Sequence, residues 1–334
     1  MIIANTAVGK RWAGHAAEIL SGVAGGLIAL LGLADLAGAR VLVQASGPTY
    51  QLALDWTVIA TGLAAAAIAS RPVRRQLAQW VPIDPDSPIH ALALALTVIL
   101  FGIDVAVIAF TDVLAATSGT PPLTITDLVY QEAPFLVFAL VGVGLFMRRE
   151  LPDTARRLGV VVPVWWQIAL ALAAAGVFFA FAQGMDGLAH AWTPGIAHRV
   201  DDATNHVFGQ LENPVGIVAL AVIPGICEEL LFRGALQPRI GILATALLFT
   251  SIHTQYALSL DAAAVFAIAL GLGALRRYTN TTASCTCHVT YNLLVGVGVG
   301  GTLLGAAVAV EAALIGISAY AIWNNRRRTA LVQP

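Results

Sequence analysis

The stretch Cys227-Glu228-Glu229-Leu230-Leu231-Phe232-Arg233-Gly234 places two carboxylates and a guanidinium at the end of an apolar run that begins at Val215. Ionised groups at bilayer depth are costly, so they face a protein interior or a water-filled cavity and indicate function by default. Glu229 and Arg233 stand four residues apart with the acid first, the better order for an ion pair along one helix face. Glu228 points about 100° away from Glu229, because a helix has about 3.6 residues per turn. The stretch therefore predicts a structural ion pair beside a glutamate that is free for chemistry.

Two later apolar runs also carry polar side chains at helical spacing. In Phe249-Thr250-Ser251-Ile252-His253 the phenyl ring and the imidazole share a helix face, and in His288-Val289-Thr290-Tyr291-Asn292 the imidazole and the amide do so. A carboxylate, a histidine and a histidine–asparagine pair on three successive helices can converge only inside a bundle. We therefore expect an active site inside the bundle, formed by Glu228, His253, His288 and Asn292.

The three motifs resemble those of the CAAX protease and bacteriocin-processing family, also called the CPBP or Abi family. EELLFRG is similar to the EExxxR-type first motif of that family, FTSIH to its FxxxH second motif and HVTYN to its HxxxN third motif. Each motif alone is a weak signal, whereas all three in order, each on a hydrophobic segment, are a strong one. The resemblance covers roughly residues 214–301, and the first two hundred residues carry no part of it.

The composition is that of a membrane protein. Of the 334 residues, 58% are hydrophobic and only 11% are charged, against about 25% charged residues in soluble domains. We predict an all-α fold, a polytopic transmembrane helical bundle of about eight to ten spans. The ten candidate spans include two within residues 214–258, one at about 262–275 and one at about 284–300. The net charge of −1 provides no basic face for phosphates, so we expect membrane lipid and a peptide or protein at the membrane as partners, and no nucleic acid.

The chain divides into three predicted parts. Residues 1–213 hold the N-terminal transmembrane helices and a long polar loop, residues 214–301 the catalytic core, and residues 302–334 a C-terminal transmembrane helix and a basic tail. Basic residues fall on alternate connections, which by the positive-inside rule puts both termini in the cytoplasm. The arginine-rich, alanine-rich usage is typical of a prokaryotic protein, hence of a plasma membrane. The basic positions are Lys10–Arg11, Arg71–Arg75, Arg148–Arg157, Arg233, Arg276–Arg277 and Arg326–Arg328.

Several polar residues lie outside the motifs. Asp104 is predicted to be a hydrogen-bonded packing residue rather than a cavity-lining carboxylate, because buried polar groups usually find partners. Glu311, near the middle of the last apolar run, needs a buried partner that the sequence does not name. Residues 111–132 are predicted to form a polar loop. Residues 183–213 form the longest polar connection, for which the sequence favours a solvated interfacial loop. A metal site there would require the fold to assemble its scattered side chains, which include His190, His198, Asp201, Asp202 and His206.

The family resemblance implies a role for each motif residue. Glu228 and His253 act on the attacking water, His288 and Asn292 stabilise the tetrahedral intermediate, and the supporting residues are Glu229, Arg233 and Phe249. Glu228, His253 and His288 are also similar to a zinc set of two histidines and a carboxylate with an open position for water. No HExxH helix is present, and we prefer a metal-free mechanism, although ligand identity alone leaves zinc possible. The three cysteines, Cys227, Cys285 and Cys287, are expected to be reduced apolar fillers rather than metal ligands.

Other functions remain open from the sequence. A proton-coupled transporter would use the carboxylates at positions 104, 228, 229 and 311 to line a pathway and would be expected to contain an internal repeat, of which we find no convincing trace. A peptide-binding or immunity protein could keep the same fold without proteolysis. The motif residues could also form a polar cluster that only holds helices together. The sequence does not name a substrate.

Overall fold

The computed structural model describes residues 1–6, 8–300 and 304–330, together with all their side chains except those of Arg11 and residues 325–330. The predicted boundary between the core and the C-terminal helix, at residues 301–303, lies outside this description, as does the end of the tail at 331–334. The described residues form fifteen α-helices, one π-helix and two short 3-10 segments, with no β-strand among them. The α-helices are α1 (Ile2–Thr6), α2 (Arg11–Leu36), α3 (Pro48–Ile68), α4 (Arg71–Leu77), α5 (Pro88–Phe110), α6 (Val113–Ser118), α7 (Ile125–Val143), α8 (Leu151–Leu158), α9 (Trp165–Trp192), α10 (Pro194–Phe208), α11 (Pro214–Glu228), α12 (Gln237–Ser251), α13 (Leu260–Tyr278), α14 (Thr281–Val297) and α15 (Leu304–Ala330); the π-helix is Glu229–Leu236 and the 3-10 segments are Gly209–Leu211 and Thr254–Tyr256.

The all-α membrane bundle is confirmed. Seven helical runs in the described part of the chain are long and apolar enough to cross a membrane, by length and composition. Large apolar side chains such as Leu27, Leu63 and Val137 remain more than half exposed, as expected of surfaces that face lipid rather than water. The protein is an integral membrane protein.

The expected eight to ten spans exceed these seven for two reasons. The run Pro214–Ser251 counts once among the seven, although the sequence predicted two spans there. The helices α13 and α14 were predicted as spans but do not qualify by length and composition. All ten predicted apolar segments nevertheless contain helix.

The chain reverses direction within Pro214–Ser251. Gly241 has φ 80° and ψ 172°, a conformation that glycine adopts without the steric penalty of a side chain. The rings of Phe232 and Phe249 lie 5.2 Å apart, whereas a straight helix would separate these residues by about 25 Å. The reversal therefore folds the FxxxH motif back onto the first motif.

Two regions predicted as polar loops are largely helical. The predicted loop 111–132 contains α6 and the first part of α7, which begins with a capping box between Thr124 and Asp127. The predicted loop 183–213 contains the last turns of α9 and all of α10. In α10 the small or apolar residues Ala197, Val200 and Ala203 recur every three positions and are buried, which is the amphipathic pattern of a helix packed on a core.

The helices α11 and α14 approach closely at one glycine. A Cβ atom at Gly225 would lie 3.1 Å from the backbone nitrogen of Val289 and 2.7 Å from its Cγ2. Only a hydrogen atom fits this gap, so the backbones can touch. Because Gly225 precedes Glu228 by less than one turn and Val289 follows His288 directly, this contact sets the distance between the first and third motifs.

Candidate active site

The first motif lies where α11 passes into the π-helix Glu229–Leu236. Such π-type turns within helices occur frequently at functional sites. Glu228 is 5% exposed and Glu229 is fully buried, so both carboxyl groups are removed from bulk solvent. The two neighbours nevertheless have very different partners.

The Glu229 carboxylate has three polar partners. Its Oε1 lies 3.1 Å from Nη1 of Arg233 and 3.1 Å from Nδ1 of His288, and its Oε2 accepts a hydrogen bond from the hydroxyl of Ser284. The predicted ion pair between Glu229 and Arg233 is therefore confirmed, with both side chains buried. Both hydrogen-bond donors, His288 and Ser284, lie on α14, so Glu229 also joins the first motif to the third.

His288 lies between the two glutamates. Because Glu229 holds a carboxylate that accepts hydrogen bonds, Nδ1 of His288 is the protonated nitrogen and donates to it. The opposite nitrogen, Nε2, lies 3.8 Å from Oε2 of Glu228. A carboxylate behind a histidine fixes the tautomer and orientation of its ring, so Glu229 aims Nε2 of His288 at the Glu228 carboxyl group.

Glu228 is left available by this arrangement. Its Oε2 is buried and has no hydrogen-bond partner among the described residues, and 3.8 Å from His288 is too long for a direct hydrogen bond. A buried carboxyl oxygen without a partner is unusual and needs an explanation. A water molecule or a substrate atom next to Glu228 and His288 would supply the missing bond.

Phe249 connects the second motif to the other two. Its ring lies 4.6 Å from the ring of His253 and 6.0 Å from the ring of His288, measured between centroids. The guanidinium carbon of Arg233 lies 4.2 Å from its centroid, within the range of a cation–π interaction. Phe249 thus packs against side chains of all three motifs.

His253 lies just beyond α12, which ends at Ser251. Its Nδ1 is 2.7 Å from the carbonyl oxygen of Phe249, one of the helix-end carbonyls that lack an intrahelical partner. Because a carbonyl oxygen only accepts, Nδ1 carries the proton and Nε2 of the neutral ring is free to accept one. The local fold therefore presents His253 as a base or as a hydrogen-bond acceptor for water.

Asn292 lies one turn beyond His288 on α14, as the motif spacing predicted. Its amide nitrogen is 3.4 Å from the carbonyl oxygen of Leu220 on α11, a long hydrogen bond that uses one of its two amide protons. The second amide proton remains for another acceptor. The role of Asn292 as an oxyanion donor stays a prediction.

Two residues that contact the motifs were missed in the sequence. Ser284, the donor to Glu229, lies one turn before His288 on the same helix, a spacing that could have indicated a shared face. Glu132 is buried on α7, which packs against α11, and its Oε2 has no hydrogen-bond partner among the described residues. It was assigned to a loop because polar residues precede it.

The other polar residues lie away from this cluster. Asp104 accepts a hydrogen bond of 3.0 Å from the hydroxyl of Ser251, which confirms the predicted packing role. The Glu311 carboxylate lies against α9, where a Cβ atom at Gly176 would clash with its Oε2. The expected buried partner of Glu311 is not found in the described part of the chain, where its Oε1 has no hydrogen bond. The three cysteines are free.

The zinc set considered from the sequence does not assemble in this conformation. Within the described ranges, the histidine, cysteine and carboxylate side chains form one group of three whose ligand atoms lie within 4.8 Å of one another, and it is His190, His198 and Asp201. Glu228, His253 and His288 do not meet that distance. We therefore derive no catalytic step through a metal at the motifs.

An apolar cavity of about 970 Å³ adjoins the cluster behind Phe232. It lies between α5, α7 and the π-helix, and four arginines line it together with the apolar residues. The side chains of Glu228, His253 and His288 are not among its walls, so it is a neighbour of the site rather than the site itself. Its arginines are Arg148, Arg149, Arg157 and Arg239.

A comparison with known proteins finds a family model that covers the three motifs. Residues 210–294 match the model of the family described as type II CAAX prenyl endopeptidase Rce1-like. The chain is also 28% identical over 125 residues to the uncharacterized protein YpbD of Bacillus subtilis (strain 168), a match that covers 36% of this chain and 60% of YpbD. The chain thus spans less than two thirds of that relative, and no solved structure matches it significantly. The resemblance indicated by the three motifs is confirmed at the level of similarity: the segment that holds all of them matches the model of the Rce1-like family.

Proposed function

We propose that this chain is an intramembrane endopeptidase that hydrolyses peptide bonds of membrane-associated or lipid-modified peptides or proteins. In this proposal Glu228 activates the attacking water. The observation that carries it is the contrast between adjacent glutamates: Glu229 forms an ion pair with Arg233 and accepts hydrogen bonds from His288 and Ser284, whereas Glu228 is buried with an unpartnered oxygen that faces His288. The family match over residues 210–294 supports the reaction class.

The proposed reaction moves one proton through Glu228. The carboxylate takes a proton from water while the oxygen of that water bonds to the carbonyl carbon of the peptide. Glu228 then gives the proton to the peptide nitrogen as the carbon–nitrogen bond breaks, which yields a carboxylic acid and an amine. General acid–base catalysis of this kind contributes about 10²–10⁴-fold to a rate. The free Nε2 of His253 accepts a hydrogen bond from the second O–H group of the water and so orients the water.

The developing oxyanion needs donors that are already in place. Nε2 of His288 can donate only when the ring is an imidazolium, because Nδ1 already donates to Glu229. The remaining amide proton of Asn292 supplies a second donor on the same face of α14.

The cavity behind Phe232 supports a lipid-associated substrate. Its volume of about 970 Å³ is at the upper end of ordinary ligand pockets, and its apolar walls suit an acyl or prenyl chain. In the proposal this cavity holds the apolar part of the substrate while the scissile bond reaches Glu228 past the π-helix. The basic residues on alternate connections support an orientation with both termini in the cytoplasm, and the amino-acid usage supports a prokaryotic plasma membrane.

The test is a comparison of membrane peptides between strains. Membranes from cells that carry the wild-type chain and from cells that carry Glu228→Gln are compared by quantitative proteomics for peptides that stop being cut. Glu150→Gln, at an exposed glutamate between α7 and α8, is the matched control and should give the wild-type pattern. An identical set of cut peptides in all three strains would contradict the proposed activity.

A further inference from the structure

A second cluster of titratable side chains lies where α9 meets α10. His190 is in the last turn of α9, and α10 begins at Pro194 only two residues after α9 ends. On α10, His198 and Asp201 are three residues apart and share a face. Their ligand atoms and those of His190 lie within 4.8 Å of one another. The short bend between the helices thus assembles residues that are scattered in the sequence.

His190 is surrounded by hydrogen-bond acceptors. Its Nδ1 lies 3.0 Å from the carbonyl oxygen of Asp186 and 3.4 Å from the carboxylate of the same residue. Its Nε2 lies 3.0 Å from Oδ2 of Asp201. A neutral imidazole has one N–H group, so one of its two nitrogens faces an acceptor without a proton between them. A cation on Nε2, either a second proton or a metal ion, resolves this conflict.

The partners of His190 match those of a metal ligand. A histidine that binds a metal through one nitrogen almost always donates its other N–H group to a backbone carbonyl or a carboxylate. Asp186 offers both to Nδ1, which leaves Nε2 with its lone pair directed at Asp201 and close to His198. A lone salt bridge would not explain why a second histidine lies at the same point, with its ring centroid 5.3 Å from that of His190.

We propose that His190, His198 and Asp201 bind a divalent transition-metal ion of the zinc type, with Asp186 orienting His190. Two imidazole nitrogens and a carboxylate suit zinc, whereas calcium and magnesium prefer oxygen ligands alone. Zinc–ligand distances of about 2.0–2.2 Å place ligand atoms about 3.3 Å apart. The side chains of His190 and Asp201 are 35% and 43% exposed, so small rotations close the remaining gap. A water molecule completes the coordination.

The metal ion would link two helices and would take no part in catalysis. It joins the end of α9 to α10, whose buried residues Val200 and Ala203 pack in one cluster with Tyr256. The ring of Tyr256 lies nearly parallel to that of His253, at an angle of 12° and a centroid distance of 6.4 Å. The metal ion would therefore stabilise the position of α10, which packs against the segment after His253. The metal site is separate from the Glu228 and His288 group.

Zinc binding by the purified full-length chain tests this site. The protein in detergent is stripped with a chelator, dialysed against Zn²⁺, and its bound zinc is measured by elemental analysis together with its melting temperature. We expect about one equivalent of zinc and a higher melting temperature, since an ion that binds the native state stabilises it. His198→Ala and Asp201→Asn should lose both effects. Asp202→Asn, one residue further along the same helix, is the matched control and should keep both.

A variant at the motifs separates this site from the catalytic group. His288→Ala should bind zinc as the wild type does. Loss of zinc from His288→Ala with retention by His198→Ala would place the ion at the motifs and overturn the proposal. Equal zinc binding by Asp201→Asn and Asp202→Asn, or no binding by the stripped wild type, would also overturn it. Because the readouts are zinc content and melting, they stand whether or not the chain cleaves a peptide.

Discussion

The buried ion pair between Glu229 and Arg233 gives the sharpest quantitative prediction. Glu229→Gln and Arg233→Gln should each destabilise the fold, and the double substitution should cost less than the sum of the two. The reason is that each single substitution leaves the opposite charge buried without its partner. Removing one member of a buried pair typically costs about 3–5 kcal/mol.

The remaining contacts of Glu229 and Arg233 determine which single substitution should destabilise the protein more. At 3.1 Å the Coulomb energy of the pair is about 5 kcal/mol with an effective dielectric constant of about 20. After Arg233→Gln, Glu229 keeps the donors from His288 and Ser284, so the cost should lie near the lower value of about 3 kcal/mol. After Glu229→Gln, the Arg233 cation keeps a 3.4 Å contact with the Ala269 carbonyl and the Phe249 ring. Its cost should therefore be the larger one.

The assay is a double-mutant cycle on free energies of unfolding, measured for the purified proteins in mixed micelles. Residues in direct contact show coupling energies of about 0.5–3 kcal/mol, and we expect a value near the top of that range. The exposed pair Asp153 and Arg156 on α8 is the matched control, for which the coupling should be below about 1 kcal/mol. Strict additivity for Glu229 and Arg233 would refute the pairing argument.

Three further substitutions test the packing around the site. Gly225→Ala should destabilise the protein by about 1–3 kcal/mol because the added methyl group meets the Val289 backbone. The control is Gly142→Ala, where a Cβ atom would have no neighbour within 4 Å, and this substitution should be neutral or stabilising by up to about 1 kcal/mol. Equal melting temperatures for the two variants would contradict the close contact of α11 and α14. Ser284→Ala should cost about 1–3 kcal/mol because Oε2 of Glu229 loses its donor, and an unchanged free energy of unfolding would contradict that hydrogen bond. Glu132→Gln should leave the melting temperature unchanged or raise it, because the buried Oε2 has no hydrogen bond to lose among the described residues and the substitution removes an ionisable group from the interior. A fall as large as that of Glu229→Gln would contradict this placement.

The sequence predicted the helices and the local pairs well because both depend on nearby residues. The spacing of Glu229 and Arg233 places them on one face of a turn, and the observed ion pair follows from that spacing alone. Apolar runs long enough to cross a bilayer are likewise local signals. The predicted convergence of the motifs followed from polar side chains within three apolar runs and was strengthened by the family resemblance, and the contacts of Phe249 with His253 and His288 now provide its geometry.

Contacts that depend on distant packing were not predictable in the same way. Glu132 is buried because α7 packs on α11, and nothing within its own neighbourhood distinguishes it from the end of a polar loop. The bond between His288 and Glu229 joins residues 59 positions apart, and no spacing rule connects them. The cluster around His190 was expected to be solvated loop because its assembly needs the bend between α9 and α10.

The central claim is that Glu228 activates the water that cleaves a peptide bond. The most direct measurement is the turnover of a peptide identified by the proteomic comparison, by purified wild-type protein and purified Glu228→Gln, both chelator-treated and analysed for metal. We predict that wild-type protein with less than stoichiometric metal cleaves the peptide, and that Glu228→Gln melts normally but does not cleave it. Cleavage by Glu228→Gln at the wild-type rate would contradict the role of Glu228. The His198→Ala protein tests the metal-free mechanism separately: loss of its activity on chelation and recovery with one equivalent of zinc would contradict that mechanism.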